Sequence, residues 1–207
     1  MNTPDMSSPE LAAVEVSGIS RSSFILRGAL GIGAVYGAGA VSPYVSDALA
    51  ATSDVDILNF ALTLEYLETD FYRSKGRSVG LSGQAKTLAN SFGDEEAEHV
   101  GALIKAITSL GGKPVKMPKF AFPVNNQAGF LKLAYVLENT GVGAYNGAAP
   151  SLSNPAVLAA AGSIVQTEAR HAASIAVLTS QSITPNGAFD KPLTKSQVLA
   201  KAGPLIK

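Results

Sequence analysis

Cysteine and tryptophan are absent from this sequence of 207 residues, and histidine occurs only twice, as His99 and His171. Without thiols there can be no disulfide, thiolate nucleophile or cysteine-ligated metal, so a metal would have to be held by carboxylate oxygen and imidazole nitrogen. The compartment stays open, an oxidising one included. An excess of charge is missing too: 16 Lys and Arg balance 16 Asp and Glu, with no basic cluster beyond scattered pairs. Such a chain lacks the field that nucleic acid or an anionic membrane surface requires, and neither is an expected partner. What is present is apolar material. At 46% hydrophobic residues, the chain can bury the core of one domain and carry an appended segment.

The first 50 residues read as a leader. Residues 1–23 are polar and turn-rich, whereas residues 24–41 are apolar, rich in Gly and Ala, and interrupted only by Arg27. Ala48-Leu49-Ala50 then presents the small-residue pattern of signal cleavage before Ala51. The stretch Ser20-Arg21-Ser22-Ser23-Phe24-Ile25-Leu26 resembles a twin-arginine export signal, with Ser22 standing where the second arginine belongs. The expectation is an exported protein, periplasmic or extracellular, free of the membrane after cleavage. The alternative is an uncleaved N-terminal anchor, since the apolar run approaches the roughly 18–20 residues that span a bilayer, although its glycines make it weakly hydrophobic. A buried internal helix would leave Arg27 in a core without a partner.

Beyond residue 51 the apolar spacing predicts four long helices. Residues 54–72 carry Ile57, Ala61, Leu64, Glu65 and Glu68 at three-and-four spacing, with Asp54 as the expected cap and Arg73, Lys75 and Gly76 as the stop. A second helix runs over residues 82–110 and ends at Gly111-Gly112 and Pro114. A third covers residues 126–149 and stops at Pro150; a fourth covers residues 153–180, with Ser153 as cap and Pro155 in its first turn. The linkers are short, long and short, the long one (residues 111–126) being extended and broken by prolines. The predicted fold is therefore all-α, a four-helix bundle of two antiparallel helical hairpins joined by one long crossover. It divides into a leader (1–50), the bundle (51–184) and a C-terminal tail (185–207) with a short helix near residues 196–201.

Both histidines sit in Glu-x-x-His: Glu96-Ala97-Glu98-His99 and Glu168-Ala169-Arg170-His171. Residues three apart share a helix face, so each pair can offer a carboxylate and an imidazole to one metal. One isolated pair of this kind is usually a solvated ion pair. Chance would place Glu before both histidines only about once in five hundred sequences of this composition, and a repeat strengthens the case. Glu65 precedes Glu96 by 31 residues and Glu138 precedes Glu168 by 30; Tyr72 and Tyr145 each follow the first Glu of their half by seven. Glu-x6-Tyr followed by Glu-x-x-His thus occurs twice, offset by 72 or 73 residues. The predicted ligands are Glu65, Glu96, His99, Glu138, Glu168 and His171, with Tyr72 and Tyr145 placed to hydrogen-bond a ligand carboxylate or simply to fill the core. Glu138 is the sole acid of the third helix. Glu68 rivals Glu65, which the repeat favours. Glu95 and Glu98 fall on other faces, exposed or supporting, and Gly141, Gly143 and Gly147 suggest close packing or an access path.

On these motifs, residues 54–180 resemble the ferritin-like superfamily, with its rubrerythrins and bacterioferritins, and more closely the ferritin-like domain proteins that include plant desiccation-related proteins. The resemblance implies one Glu each from helices one and three and a Glu-x-x-His each from helices two and four. It implies two metal ions, iron first and manganese second, bridged by Glu96 and Glu168. The rubredoxin-like cysteines of a rubrerythrin are missing, which excludes a second iron site. The implied activity is di-iron or di-manganese oxidoreductase chemistry with dioxygen or peroxide, peroxidase or catalase-like in type. Ferroxidase activity on iron ions linked to storage, and a non-enzymatic stress-protective bundle stapled by metal, are the alternatives. Assembly into a homo-oligomer is compatible with each.

Overall fold

The computed structural model describes residues 53–207, and the expectations for the leader lie outside the described residues. Among the described residues five helices of eight or more residues form: α1 (Asp54–Asp70), α2 (Gly83–Ser109), α3 (Gln127–Ala148), α4 (Pro155–Thr179) and α5 (Lys195–Ala202). The first four are the expected bundle, α1 packing chiefly on α2 and α3 on α4. Among the described residues there is no strand, only an isolated bridge between Phe120 and Ile206. No helix among them is long and apolar enough to cross a membrane.

Two caps differ from expectation by one residue. Ser53 caps α1 in a reciprocal box with Asp56, which satisfies two otherwise orphaned N–H groups. Asp54 instead turns outward across the bundle and accepts the backbone N–H groups of Ser153 and Asn154, each at 2.8 Å. Asn154, not Ser153, caps α4, accepting from Ala156 N–H at 2.9 Å, with Pro155 at the first helical position. The acid at the start of α1 thereby fixes the chain where α4 begins.

Helix α1 does not stop at its predicted end. It widens into a π-helical turn, Phe71–Lys75, and ends with the short turn Gly76–Ser78. Gly76 N–H donates to the Phe71 carbonyl, the longer-ring bond that defines such a turn. Phe71 and Tyr72 are buried within it, and Phe71 stacks on Phe130 of α3 with ring centroids 4.3 Å apart.

The apolar interior is split. One cluster joins the end of α1, the starts of α2 and α3 and the end of α4 through Leu67, Phe71, Phe92, Phe130 and Ile175. The other joins the opposite ends through Leu58, Leu62, Leu103, Ile107 and Ile164. Between them, one on each of α1 to α4, lie Glu65, Glu96, Glu138 and Glu168. Full burial of a Leu, Ile or Phe contributes about 1.5–3 kcal/mol, which outweighs the roughly 1 kcal/mol that each interior glycine of α3 costs.

The C-terminal segment, which the sequence could not place, packs against α3. Val198, Ala202 and Leu205 are buried in the first cluster, and the chain end pairs with the crossover through Ala121 N–H to Leu205 O and Lys207 N–H to Lys119 O, both 2.9 Å. The glycines of α3 make this docking feasible. A Cβ on Gly147 would lie 2.0 Å from the Leu193 carbonyl oxygen and one on Gly143 would lie 2.6 Å from Leu193 Cγ, while Leu193 N–H donates to Gly143 O at 2.9 Å. Gly147→Ala is therefore expected to push residues 191–193 off α3 at a cost of about 1–3 kcal/mol. Trypsin cleavage after Lys195 should accelerate and the thermal midpoint should fall; if neither changes, the segment is not held at this glycine.

Candidate metal centre

The four central glutamates and both histidines converge. Glu65, Glu96, His99 and Glu168 can each place a ligand atom within 4.8 Å of the others, and so can Glu96, Glu138, Glu168 and His171. Glu96 and Glu168 belong to both groups. His99 Nδ1 lies 2.9 Å from Glu96 Oε2, 3.2 Å from Glu65 Oε2 and 3.3 Å from Glu168 Oε1. His171 Nδ1 lies 2.9 Å from Glu96 Oε1 and 3.4 Å from Glu138 Oε2. The repeat in the sequence becomes an approximate two-fold arrangement in space, one group on each side of the shared pair.

The donor set is compatible with a metal site. Buried polar atoms are nearly always hydrogen-bonded. Here Glu96 Oε1, Glu138 Oε2, both oxygens of Glu168 and His171 Nδ1 are buried without a regular hydrogen bond, meeting at most other members of the two groups. Four carboxylates and two imidazoles are hard and borderline donors that suit iron or manganese, and four negative charges balance two divalent cations.

The remaining nitrogens and oxygens of these side chains are held from behind. His171 Nε2 is 2.5 Å from Glu95 Oε2, and Phe92 stacks on the imidazole at 3.9 Å between centroids. A proton kept on Nε2 by Glu95 would leave Nδ1 as the lone pair offered to a metal once the Nδ1 proton that meets Glu96 and Glu138 is displaced. Tyr72 donates to Glu138 Oε1, and Tyr145 donates to Glu65 Oε1 at 2.5 Å. The tyrosines therefore cross over: each supports the first glutamate of the other half of the repeat.

Electrostatics follow from burial. Burial raises Glu65 to about 8 despite the neighbouring His99, and it pushes Glu68 and Glu168 well above the carboxylate range and Glu138 in the same direction. For Glu96 burial acts the same way, but the approach of His171 and His99 wins and lowers it to about 2. Burial would lower both histidines, yet the surrounding carboxylates raise His99 to about 12 and His171 to about 11. Without metal the cluster thus holds itself together with protons. A divalent ion does the same work with more charge, so loading it must release protons.

A family model for the ferritin-like domain matches residues 53–181. The chain belongs to the ferritin-like domain family. No curated protein matches the sequence. The matched range covers α1 to α4 and stops before α5, so the helix that packs against α3 is an addition to the ferritin-like bundle.

Three features of this ferritin-like site were left open by the sequence. Glu95 was expected on another face, exposed or supporting, and it is both: 44% of its side chain is exposed while the packing of α2 on α4 brings it to His171. Glu68 is 3% exposed yet falls in neither ligand group. Gly141 makes room for the site itself, since a Cβ there would sit 2.8 Å from Glu168 Oε2. A hint was available for the last two: at an offset of 73 residues, Gly141 stands in the repeat where Glu68 stands in the first half.

Proposed function

We propose that this ferritin-like protein is an exported dimetal-carboxylate protein, most aptly di-iron with manganese as the second choice, that reacts with dioxygen or peroxide. The observation that carries the reading is the sharing of Glu96 and Glu168 by two four-residue ligand groups. In this reading Glu65 with His99 would hold one ion, Glu138 with His171 would hold the other, and Glu96 and Glu168 would be shared between them. A redox-active pair bound there would supply paired one-electron chemistry, which no side chain of this chain can supply. The protein's part is to set that chemistry in place. Tyr72 and Tyr145 orient Glu138 and Glu65 by hydrogen bonds, Glu95 fixes the tautomer of His171, and the two apolar clusters exclude bulk water from above and below. His99, with 12% of its side chain exposed against 2% for His171, is the ligand nearest to solvent.

Export rests on the leader pattern of residues 1–50, and N-terminal sequencing of protein secreted by cells expressing the full chain tests it, with Ala51 as the expected start. The chemical reading is tested by metal analysis of protein produced with iron or manganese supplied, then by dioxygen and peroxide consumption of wild type and Glu138→Ala. Two ions per chain and turnover lost at least tenfold in the variant are expected. Metal without turnover would leave a metal-stapled bundle, iron oxidation with retention of the product would leave a ferroxidase, and absence of metal would sink the proposal.

A further inference from the structure

The even charge count of the whole sequence does not hold at the surface of the bundle. Residues 53–207 carry 14 Lys and Arg against 12 Asp and Glu, and five of those acids, Glu65, Glu68, Glu96, Glu138 and Glu168, are buried, whereas no Lys or Arg is. Fourteen cations therefore share the surface with seven acids. Two segments concentrate the excess. The crossover carries Lys113, Lys116 and Lys119, residues 191–207 carry Lys191, Lys195, Lys201 and Lys207, and neither segment contains an acid. All seven lysines are exposed. Among the described residues the ion pair of Arg73 with Asp94 is the only one that a Lys or Arg makes, so none of the seven is neutralised in this way.

The fold lays the two segments together beside α1. At one end Asn59 accepts from Val115 N–H at 2.8 Å and donates to Lys113 O at 3.2 Å, while Lys195 Nζ lies 5.1 Å from the centre of the adjacent Phe60 ring. At the other end Phe120 bridges Ile206, and Lys207 N–H donates to Lys119 O at 2.9 Å. Successive side chains of extended chains point to opposite faces. Phe120 and Ile206 pack against the first apolar cluster, so Lys119 and Lys207 turn outward together. Apolar side chains stand among these cations. Met117, 48% exposed, falls between Lys116 and Lys119, and Leu199, 40% exposed, lies one turn after Lys195, outside the buried stripe of Val198 and Ala202.

We propose that the crossover and the C-terminal segment together form a docking face for an anionic lipid surface. Lysine ammonium groups meet the headgroup phosphates, and Met117 and Leu199 enter the boundary between headgroups and acyl chains. The contact is peripheral and screened by salt. Nucleic acid suits the face less well: it has no arginine for bidentate phosphate contacts, and its rings, Phe120 and Phe122, pack against the core instead of being offered to bases. The absence of such a partner was expected from the whole-chain balance, which the burial of five acids removes at the surface. Residues 191–207 lie beyond the range matched by the ferritin-like family, so half of the face belongs to the addition and not to the shared bundle. The inference is independent of which metal, if any, the centre holds.

The test is co-sedimentation of the full chain with vesicles of phosphatidylcholine alone and of equimolar phosphatidylcholine and phosphatidylglycerol, at roughly 0.1 M salt, where the screening length is about 10 Å. Wild type is expected to bind the anionic vesicles at least about tenfold more tightly than the neutral ones, and the triple variant Lys113→Gln, Lys116→Gln, Lys119→Gln to lose about tenfold or more of that affinity. The double variant Met117→Ser, Leu199→Ser should lose several-fold on the anionic vesicles. All forms carry the same leader, so differences among them report this face, and helical circular dichroism verifies that the variants are folded. Equal binding of wild type to the two vesicles, or a variant of either kind that binds as wild type does, would overturn the proposal. Binding of DNA without binding of anionic vesicles would overturn it in favour of nucleic acid.

Discussion

If the site holds two metal ions as proposed, replacing Glu96 by alanine is expected to release both, whereas Glu65→Ala and Glu138→Ala should each release one. The difference follows from membership: Glu96 belongs to both ligand groups, Glu65 and Glu138 to one each. In Glu96→Ala each position drops from four donors to three, and the two imidazoles lose the carboxylate that both approach at 2.9 Å. The loss of affinity at each position should exceed the roughly 10–100-fold that follows loss of an outer hydrogen-bond partner. Elemental analysis after desalting checks it. Glu96→Gln keeps the volume and hydrogen-bonding capacity of the side chain while removing the charge, so it separates a lost ligand from a collapsed core. If Glu96→Ala retains one ion, the carboxylate is not shared.

A fall in stability with rising pH, confined to the metal-free protein, should be the other large effect. Glu65 titrates near 8 when folded, against 4.5 for an ordinary glutamate, so its contribution is complete below about 4.5 and is lost as the pH rises through 8. Glu68, Glu138 and Glu168 shift in the same direction for the same reason, burial. His99 and His171, raised to about 12 and about 11, add stability below 6.5 that declines toward those values. Glu96 opposes them, but its contribution is complete above 4.5 and disappears only as the pH falls toward 2. Between pH 5 and 8 the folded, metal-free chain therefore binds more protons than the unfolded one. One such proton changes stability by about 1.4 kcal/mol per pH unit, so the midpoint should fall by on the order of 10 °C over that window. With Mn2+ or Fe2+ bound, cations replace those protons and the fall should be much smaller. Melting curves in chelator and in metal, at pH 5 and pH 8, measure both; a metal-free midpoint that stays flat or rises would contradict the buried, proton-held cluster.

How far the chain could be read without its structure depends on the range over which each signal acts. Helix existence, the short, long, short linkers and the pairing of Glu with His are local, set by three-and-four spacing and by Gly and Pro at the breaks. They were legible, and so was the repeat that singled out Glu65 and Glu138. Caps were legible only to within a residue, because Ser53 and Asp54 are both capable and the choice was made at a distance, by the N–H groups of Ser153 and Asn154 that Asp54 accepts.

The set of candidate ligands was thus legible in the sequence alone: a ferritin-like order of Glu, Glu-x-x-His, Glu, Glu-x-x-His on four helices, with no cysteine and no third histidine to offer another choice. Tertiary structure decided how that set is supported. The crossed bonds from Tyr72 to Glu138 and Tyr145 to Glu65 span 66 and 80 residues, and the contact of Glu95 with His171 spans 76. The burial of Glu68 opposite Gly141 and the docking of α5 on the glycines of α3 are likewise contacts between helices. Spacing along a chain reports which face of a helix a residue occupies, but which face meets which is fixed only when the helices pack, by the volume each side chain fills or leaves open.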